Sequence, residues 1–177
     1  MGDSLRLFHV SEEPAIAIFN PRMVLSPDTG VKGDAVWAID DEHLPNYLVP
    51  RDCPRVTFRV APKTSERDIA GFFDDTDARR MIVMEQAWLE RFNRARLYVY
   101  EMPVTPFEPA DASAGYYISR HAVIPLGVRE IREPASEIMQ RGYEIRYVPD
   151  LWPIRDGVAK STLDYSIIRM RNAVRSN

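Results

Sequence analysis

The sequence predicts a mixed α+β fold built from short, mostly antiparallel strands and a few short helices. Three observations predict it. Short runs rich in β-branched and aromatic residues recur along the chain, "RLYVYEMP" (96–103) being the clearest. Helical segments are few and brief. No regular strand–helix–strand alternation appears, so a doubly wound parallel sheet is disfavoured.

The elements follow in order. "LRLFHV" (5–10) reads as a first strand that ends at "SEEP". "IAIFNPR" (16–22) is a short extended piece stopped by Asn20-Pro21, and 23–34, with Pro27, Gly30 and Gly33, is a loop. "AVWAID" (35–40) is a strand, and the acids after it suit the start of a short helix over 40–49. "RVTFRVA" (55–61) alternates like a strand half exposed to water. Ser65 or Asp74 can cap short helices in the polar stretch 62–79. "MIVMEQ" (81–86) is a strand and "AWLERFNRA" (87–95) a short helix; 104–115 is a loop. "GYYISR" (115–120) and "GVREIR" (127–132) are strands. "PASEIMQRG" (134–142) has proline at its start and glycine at its end, as a helix should, and "YEIRYVP" (143–149) is a strand. From Ser161, "STLDYSIIRMRNAV" places Leu163, Ile167 and Met170 or Val174 along one helical face.

Length and composition narrow the classes. The 177 residues suit a single domain, with 149–177 as a C-terminal arm, and 45% apolar residues can fill a core. No apolar run reaches 18 residues, so no membrane span is expected. The N-terminus shows no basic stretch followed by an apolar one, so no secretory signal is expected. Cys53 is the single cysteine, which excludes an internal disulfide and fits a reducing cytoplasm. The three histidines, His9, His43 and His121, lie far apart in sequence and no zinc spacing exists, so no metal is expected. A net charge of −3 gives no strong nucleic-acid signal. Arginine far outnumbers lysine, which is found only at 32, 63 and 160; base composition explains that bias better than anion binding does. No dinucleotide glycine motif, Walker loop, nucleophile elbow or H-E-x-x-H is present.

Five places carry candidate chemistry. His9 is a core imidazole tied to a carbonyl, or a neutral imidazole that meets a ligand hydroxyl. Trp37 and Tyr47 are core aromatics, or a stacking surface for a flat ring. His43 shares a helical face with Tyr47 and reads as a solvated residue. Arg51 sits in the proline-bracketed "LVPRDCPRV" (48–56), as a turn residue or an anion contact; Cys53 has no base beside it in sequence that would make it a nucleophile. In "GYYISRHAVIP" (115–125), Tyr117, Ser119 and His121 alternate onto one face and Tyr116, Ile118 and Arg120 onto the other, as pocket lining or as a solvent face. Around Trp152, the C-terminal stretch is a packed arm, or a lid or subunit contact.

Together "FHVSEEP", "VWAIDDEHLPNYLVPRDCPRVTF", "AGYYIS" with "VIPLGV", and "DLWPIRD" resemble a family of uncharacterised bacterial proteins that carries a domain of unknown function, over most of the chain. More distantly, the chain resembles the ADP-ribosyltransferase-like fold, a split sheet whose cleft holds NAD. That resemblance implies His9 on ribose hydroxyls, Trp37 and Tyr47 stacking on nicotinamide, and Arg51 or Arg120 on phosphate. It also implies a glutamate that stabilises a positively charged sugar. Tyr117 or Ser119 stands where that glutamate is expected, with Glu101 and Glu130 nearby in sequence. The expectation is therefore a cytoplasmic domain that binds NAD or another nucleotide in a cleft with His9, Trp37, Tyr47, Tyr117 and Ser119. The alternatives are a non-catalytic domain that binds a small ligand or a protein, and an RNA 2′-phosphotransferase-like enzyme using Arg51, Arg120 and His121.

Overall fold

A computed structural model describes residues 4–23, 30–111 and 114–174. In chain order it contains β1 (Leu7–Ser11), β2 (Arg22–Met23), β3 (Asp34–Asp40), β4 (Arg55–Arg59), α1 (Glu66–Phe73), β5 (Arg80–Glu85), α2 (Leu89–Asn93) and β6 (Leu97–Met102). There follow β7 (Glu108–Asp111), β8 (Tyr116–Ser119), β9 (Gly127–Ile131), α3 (Pro134–Gln140), β10 (Glu144–Val148), α4 (Trp152–Ala159) and β11 (Asp164–Ile168). The chain divides into two compact units, Met1–Tyr47 with Arg96–Arg132 and Leu48–Ala95 with Glu133–Asn177. The mixed α+β expectation holds: among the described residues most strand pairs are antiparallel, in two sheets, with four short helices.

Among the described residues the first unit holds seven strands, in the order β7-β8-β3-β1-β6-β9, with β2 on β3. Its register decides which side chains share a face. Phe8 lies opposite Ile39 and Ile39 opposite Tyr116; Trp37 lies opposite Ile118. These residues occupy one face. His9 lies opposite Tyr100, Ala38 opposite Tyr117 and Val36 opposite Ser119, all on the other. Leu7, Val36, Ala38, Tyr100 and Met102 form a core on that second face with Phe19 and Val123. Phe19 and Val123 exchange two backbone hydrogen bonds, of 2.8 and 2.9 Å, which lay their segments over the sheet. The buried Tyr100 hydroxyl donates to the Glu13 carbonyl at 2.7 Å and accepts from the Ile16 amide at 3.0 Å. Those two bonds hold the turn in which Ala15 has φ 58°. A side-chain-bearing residue pays about 1–2 kcal/mol in that region, so the turn needs such a clamp.

The second unit holds β10-β5-β4-β11, with β10 parallel to β5 and the other neighbours antiparallel. Val56, Phe58, Met81 and Val83 pack with Phe73, Leu151, Val158 and Leu163. Ser65 caps α1, its hydroxyl accepting from the Asp68 amide at 3.2 Å. The Asp68 carboxylate accepts from the hydroxyl and amide of Thr162, which ties α1 to the start of β11.

Several sequence expectations need correction. β4 is buried nearly throughout, not half exposed, because it is an interior strand between β5 and β11. The stretch from Ser161 is not a helix. Ser161 closes the preceding helix, its hydroxyl donating to the Val158 carbonyl and accepting from the Leu163 amide. Tyr165, Ile167 and Ile168 then enter β11, where β4 supplies a ladder that the helical spacing did not anticipate. The helix α4, beginning at Trp152-Pro153, was not foreseen. The short helix over 40–49 is one 3₁₀ turn, Leu44–Tyr47. The loop over 104–115 contains β7, and part of the loop over 23–34, including Pro27, lies outside the described residues.

Two predictions follow from these clamps. Tyr100→Phe removes both hydroxyl bonds and strands a carbonyl and an amide, so urea unfolding should show a loss of about 1–3 kcal/mol. In the second unit, a hydrogen bond from Thr76, then one from Arg146, hold the Glu144 carboxyl below its ordinary value. A depressed carboxyl stabilises fully above its unfolded value, about pH 4.3, and that stability is lost as pH falls through the lower folded value. Glu144→Gln should therefore flatten the fall in unfolding free energy measured below that pH; an unchanged slope would remove Glu144 from the account.

Candidate functional site

The site is best built outward from His9, which lies mid-way along β1. The β1–β3 ladder pairs Leu7 with Asp40 and Phe8 with Ile39, and goes no further. Where the strands part, His9 Nδ1 donates to the Trp37 carbonyl at 2.8 Å. A carbonyl oxygen only accepts, so Nδ1 carries a proton, and in the neutral form of the ring Nε2 is the acceptor nitrogen. The half-buried ring leans on Phe19, centroids 4.7 Å apart, and Phe19 in turn meets Tyr100 edge-on at 5.1 Å.

Tyr117 and Ser119 share a face, as their alternation predicted, and the strand register makes it the face of His9. Tyr117 is half-buried against the core of that face. Ser119 is buried and ties the strand exit: its hydroxyl donates to the His121 carbonyl and lies 3.2 Å from the His121 amide. β8 ends at Ser119, so His121 falls beyond the strand and is exposed. Arg120 Nη1 donates to the carbonyls of Lys32 and Asp34, at 2.7 and 2.9 Å, and so braces the approach to β3.

Trp37 and Tyr47 gather elsewhere. Trp37 meets Tyr116 edge-on at 5.8 Å, and Tyr116 meets Tyr47 at 6.3 Å. The Tyr47 hydroxyl donates to that of Tyr116 at 2.8 Å. Trp37 and Tyr116 occupy the sheet face opposite His9. The five residues expected in one cleft are thus divided between two faces. Arg51 belongs to the second unit, where its carbonyl accepts from Arg169 Nε at 3.4 Å.

Sequence reasoning missed a further pair. His43 is not a solvated helix residue: its Nδ1 lies 2.7 Å from Asp40 Oδ1, which also accepts the His43 amide at 2.9 Å. The side chains are 13% and 19% exposed. Gly115, at φ 70°, passes directly over them, and a Cβ there would lie 2.3 Å from His43 Nδ1. The signal was available in "DDEH", where an acid three residues before His43 has capping spacing. The arrangement can orient an imidazole beside the aromatic cluster, since Gly115 precedes Tyr116.

Two further features bound the chemistry. Among the described residues, no group of three or more His, Cys, Asp or Glu side chains is placed to hold a metal ion. No helix among them is long and apolar enough to cross a membrane. Burial pushes the Cys53 thiol up to about 12, so it is protonated at neutral pH and does not act as a nucleophile in this conformation.

A family model for a family of unknown function, DUF6886, matches residues 8–173. The chain belongs to that family. The match runs from within β1 to past the end of β11, and so takes in both units. No curated protein and no solved structure matches the chain.

The glycine over the Asp40–His43 pair gives a direct check. Gly115→Ala adds a clash to an unfavourable φ, and should cost about 2–4 kcal/mol in a urea melt. A loss under 1 kcal/mol, the scale of a propensity change alone, would show that the pair is not packed against this backbone.

Proposed function

We propose that the chain is an ADP-ribosyltransferase-like domain that binds NAD or another nucleotide on the sheet face carrying His9. One observation supports this most: His9 is a half-buried imidazole whose Nδ1 is committed to a backbone carbonyl. That bond fixes the ring plane and, in the neutral form of the ring, makes Nε2 the acceptor nitrogen, the kind of group to which a ribose hydroxyl donates. Tyr117, half-buried on the same face, is one of the aromatics there that a base would meet. Trp37 and Tyr47 do not serve that role in this reading.

A second observation favours binding over transfer. Glycosyl transfer from NAD needs an anion near the sugar carbon. Glu101 accepts from Arg6 Nε at 3.0 Å, and Glu130 is paired with Arg132 at 3.0 Å and Arg96 at 3.8 Å. Both candidate carboxylates are therefore engaged by arginine. The reading that fits is a ligand-binding domain without glycosyl-transfer chemistry.

The test is a thermal-shift titration with NAD, ADP-ribose, AMP and a short 2′-phosphorylated RNA. A nucleotide at a hundred times its dissociation constant adds about 2.7 kcal/mol of stability. His9→Asn keeps an N–H for the Trp37 carbonyl and removes Nε2, so the shift with NAD or ADP-ribose should vanish, while the ligand-free melting temperature falls by the lost packing of the ring on Phe19. If none of the four shifts the wild type, the nucleotide reading fails. A shift that survives in His9→Asn moves the site away from His9, and a response to the RNA alone supports the phosphotransferase alternative.

A further inference from the structure

The outer strands of the sheet in the first unit, β7 and β9, are built differently. β7 is guarded: it contains Pro109, its register with β8 shifts between Pro109 and Asp111, and it carries the acids Glu108 and Asp111. Proline, irregular register and charge are the devices that keep an outer strand from pairing with another chain. β9 contains no proline, and its register with β6 runs unbroken from Gly127 to Ile131. Among the described residues β9 pairs with β6 alone, so its other side presents backbone donors and acceptors.

The side chains there suit a partner. Val128 is 53% exposed, and Leu126, whose amide donates to the Glu101 carbonyl at 2.7 Å, is 69% exposed. Gly127, between them, has open space where a Cβ would stand. A glycine in a strand gives up packing and lets another chain come close.

Charge selects the partner and its register. A second copy that joins β9 antiparallel is related by a two-fold axis perpendicular to the sheet. Side chains opposite each other share a face, so one residue lies opposite itself and the rest pair symmetrically about it. Centred on Arg129 or Glu130, the axis sets like charges face to face, which is destabilising. Centred on Gly127, it sets Arg129 opposite Pro125, which has no N–H to pair. Centred on Ile131, it leaves Leu126 outside the pairing. Centred on Val128, it sets the two Val128 side chains together, with Leu126 of each copy diagonal to Val128 of the other, and Arg129 opposite Gly127. Next to Gly127 on that face is Glu101, its partner in β6. Arg129 of one copy then extends over the bare Gly127 toward the Glu101 carboxylate of the other, which is part exposed and also accepts from Arg6. By symmetry this match occurs twice.

We propose that β9 pairs antiparallel with β9 of a second copy of this chain, centred on Val128, so that two first units share one continuous sheet. One strand pair is a small contact, so the dimer is weak and its population rises with protein concentration.

The experiment is sedimentation equilibrium of the full chain over a concentration series. The wild type should show a monomer–dimer equilibrium. Val128→Lys sets two like charges on the axis in place of the apolar pair, and should raise the dimer dissociation constant by roughly tenfold. Val128 is exposed, so the thermal melt followed by circular dichroism at low concentration should stay that of the wild type. Arg129→Glu and Glu101→Arg each set like charges across the contact and should weaken self-association when alone. Mixed in equal amounts, they restore opposite charges at both places, and a heterodimer should form more tightly than either variant self-associates. A wild type that stays monomeric throughout the series, a dimer indifferent to Val128→Lys, or a mixture no tighter than its components overturns the proposal.

Discussion

Much of the first unit depends on one hydrogen bond, from His9 Nδ1 to the Trp37 carbonyl. β1 leaves β3 after Phe8, and a strand that leaves its partner strands a carbonyl. An unpaired buried carbonyl costs about 1–3 kcal/mol, so the gap needs a donor. A longer apolar side chain would fill the space without supplying one. An imidazole does both: it bonds the carbonyl and packs its ring on Phe19. That departure of β1 also starts the turn over Glu13–Ile16, which Tyr100 clamps from the strand on the other side. His9, Phe19 and Tyr100 are therefore one packed series, and the chemistry available to His9 is inherited from its structural task.

The second unit meets a different constraint. Its interior strand β4 carries Arg55, 2% exposed, and Thr57, and β5 ends on the buried Glu85. Burying a guanidinium is tolerable only with acceptors at hand. Arg55 Nη1 finds one in the Cys53 carbonyl at 2.9 Å, which pins the turn before β4 to the strand it enters. Polar groups at the end of this sheet are thus bonded to the connections that leave it. The apolar core of Val56, Phe58 and Met81 sits on the next residues along, and the alternation keeps the two regions apart.

The sequence was readable where local chemistry and tertiary demand agree. "RLYVYEMP" is a strand because β-branched and aromatic residues suit a sheet interior, and "PASEIMQRG" is a helix because its proline and glycine mark both ends. It misled where a partner strand outweighed local spacing. The residues of β11 have helical periodicity, yet pairing with β4 makes them a strand. "RVTFRVA" alternates like an exposed strand, yet both of its faces are covered, a fact set by neighbours far away in the chain. At the site, alternation placed Tyr117 and Ser119 together correctly. It could not place His9 against Trp37, because which faces match depends on strand register, and register is a property of the pairing rather than of either strand.

That register bears directly on how a ligand could lie. In an antiparallel sheet, side chains that alternate along one strand point to opposite faces, and residues paired across strands point to the same face. Trp37 pairs with Ile118, and its neighbour Ala38 pairs with Tyr117. A ring stacked on Trp37 is therefore on the far side of the sheet from the His9 imidazole, and no planar ligand touches both. Tyr117 and His9 are separated only by β3, whose residue on that face between them is Ala38. Ala38 is itself buried there, in the core that Phe19 and Val123 complete, so the stretch between the imidazole and Tyr117 is packed protein. The Trp37–Tyr116–Tyr47 cluster, with the oriented His43 beside it, then has to be explained on its own terms, and its edge-on contacts and hydroxyl pair already account for its residues as mutual packing.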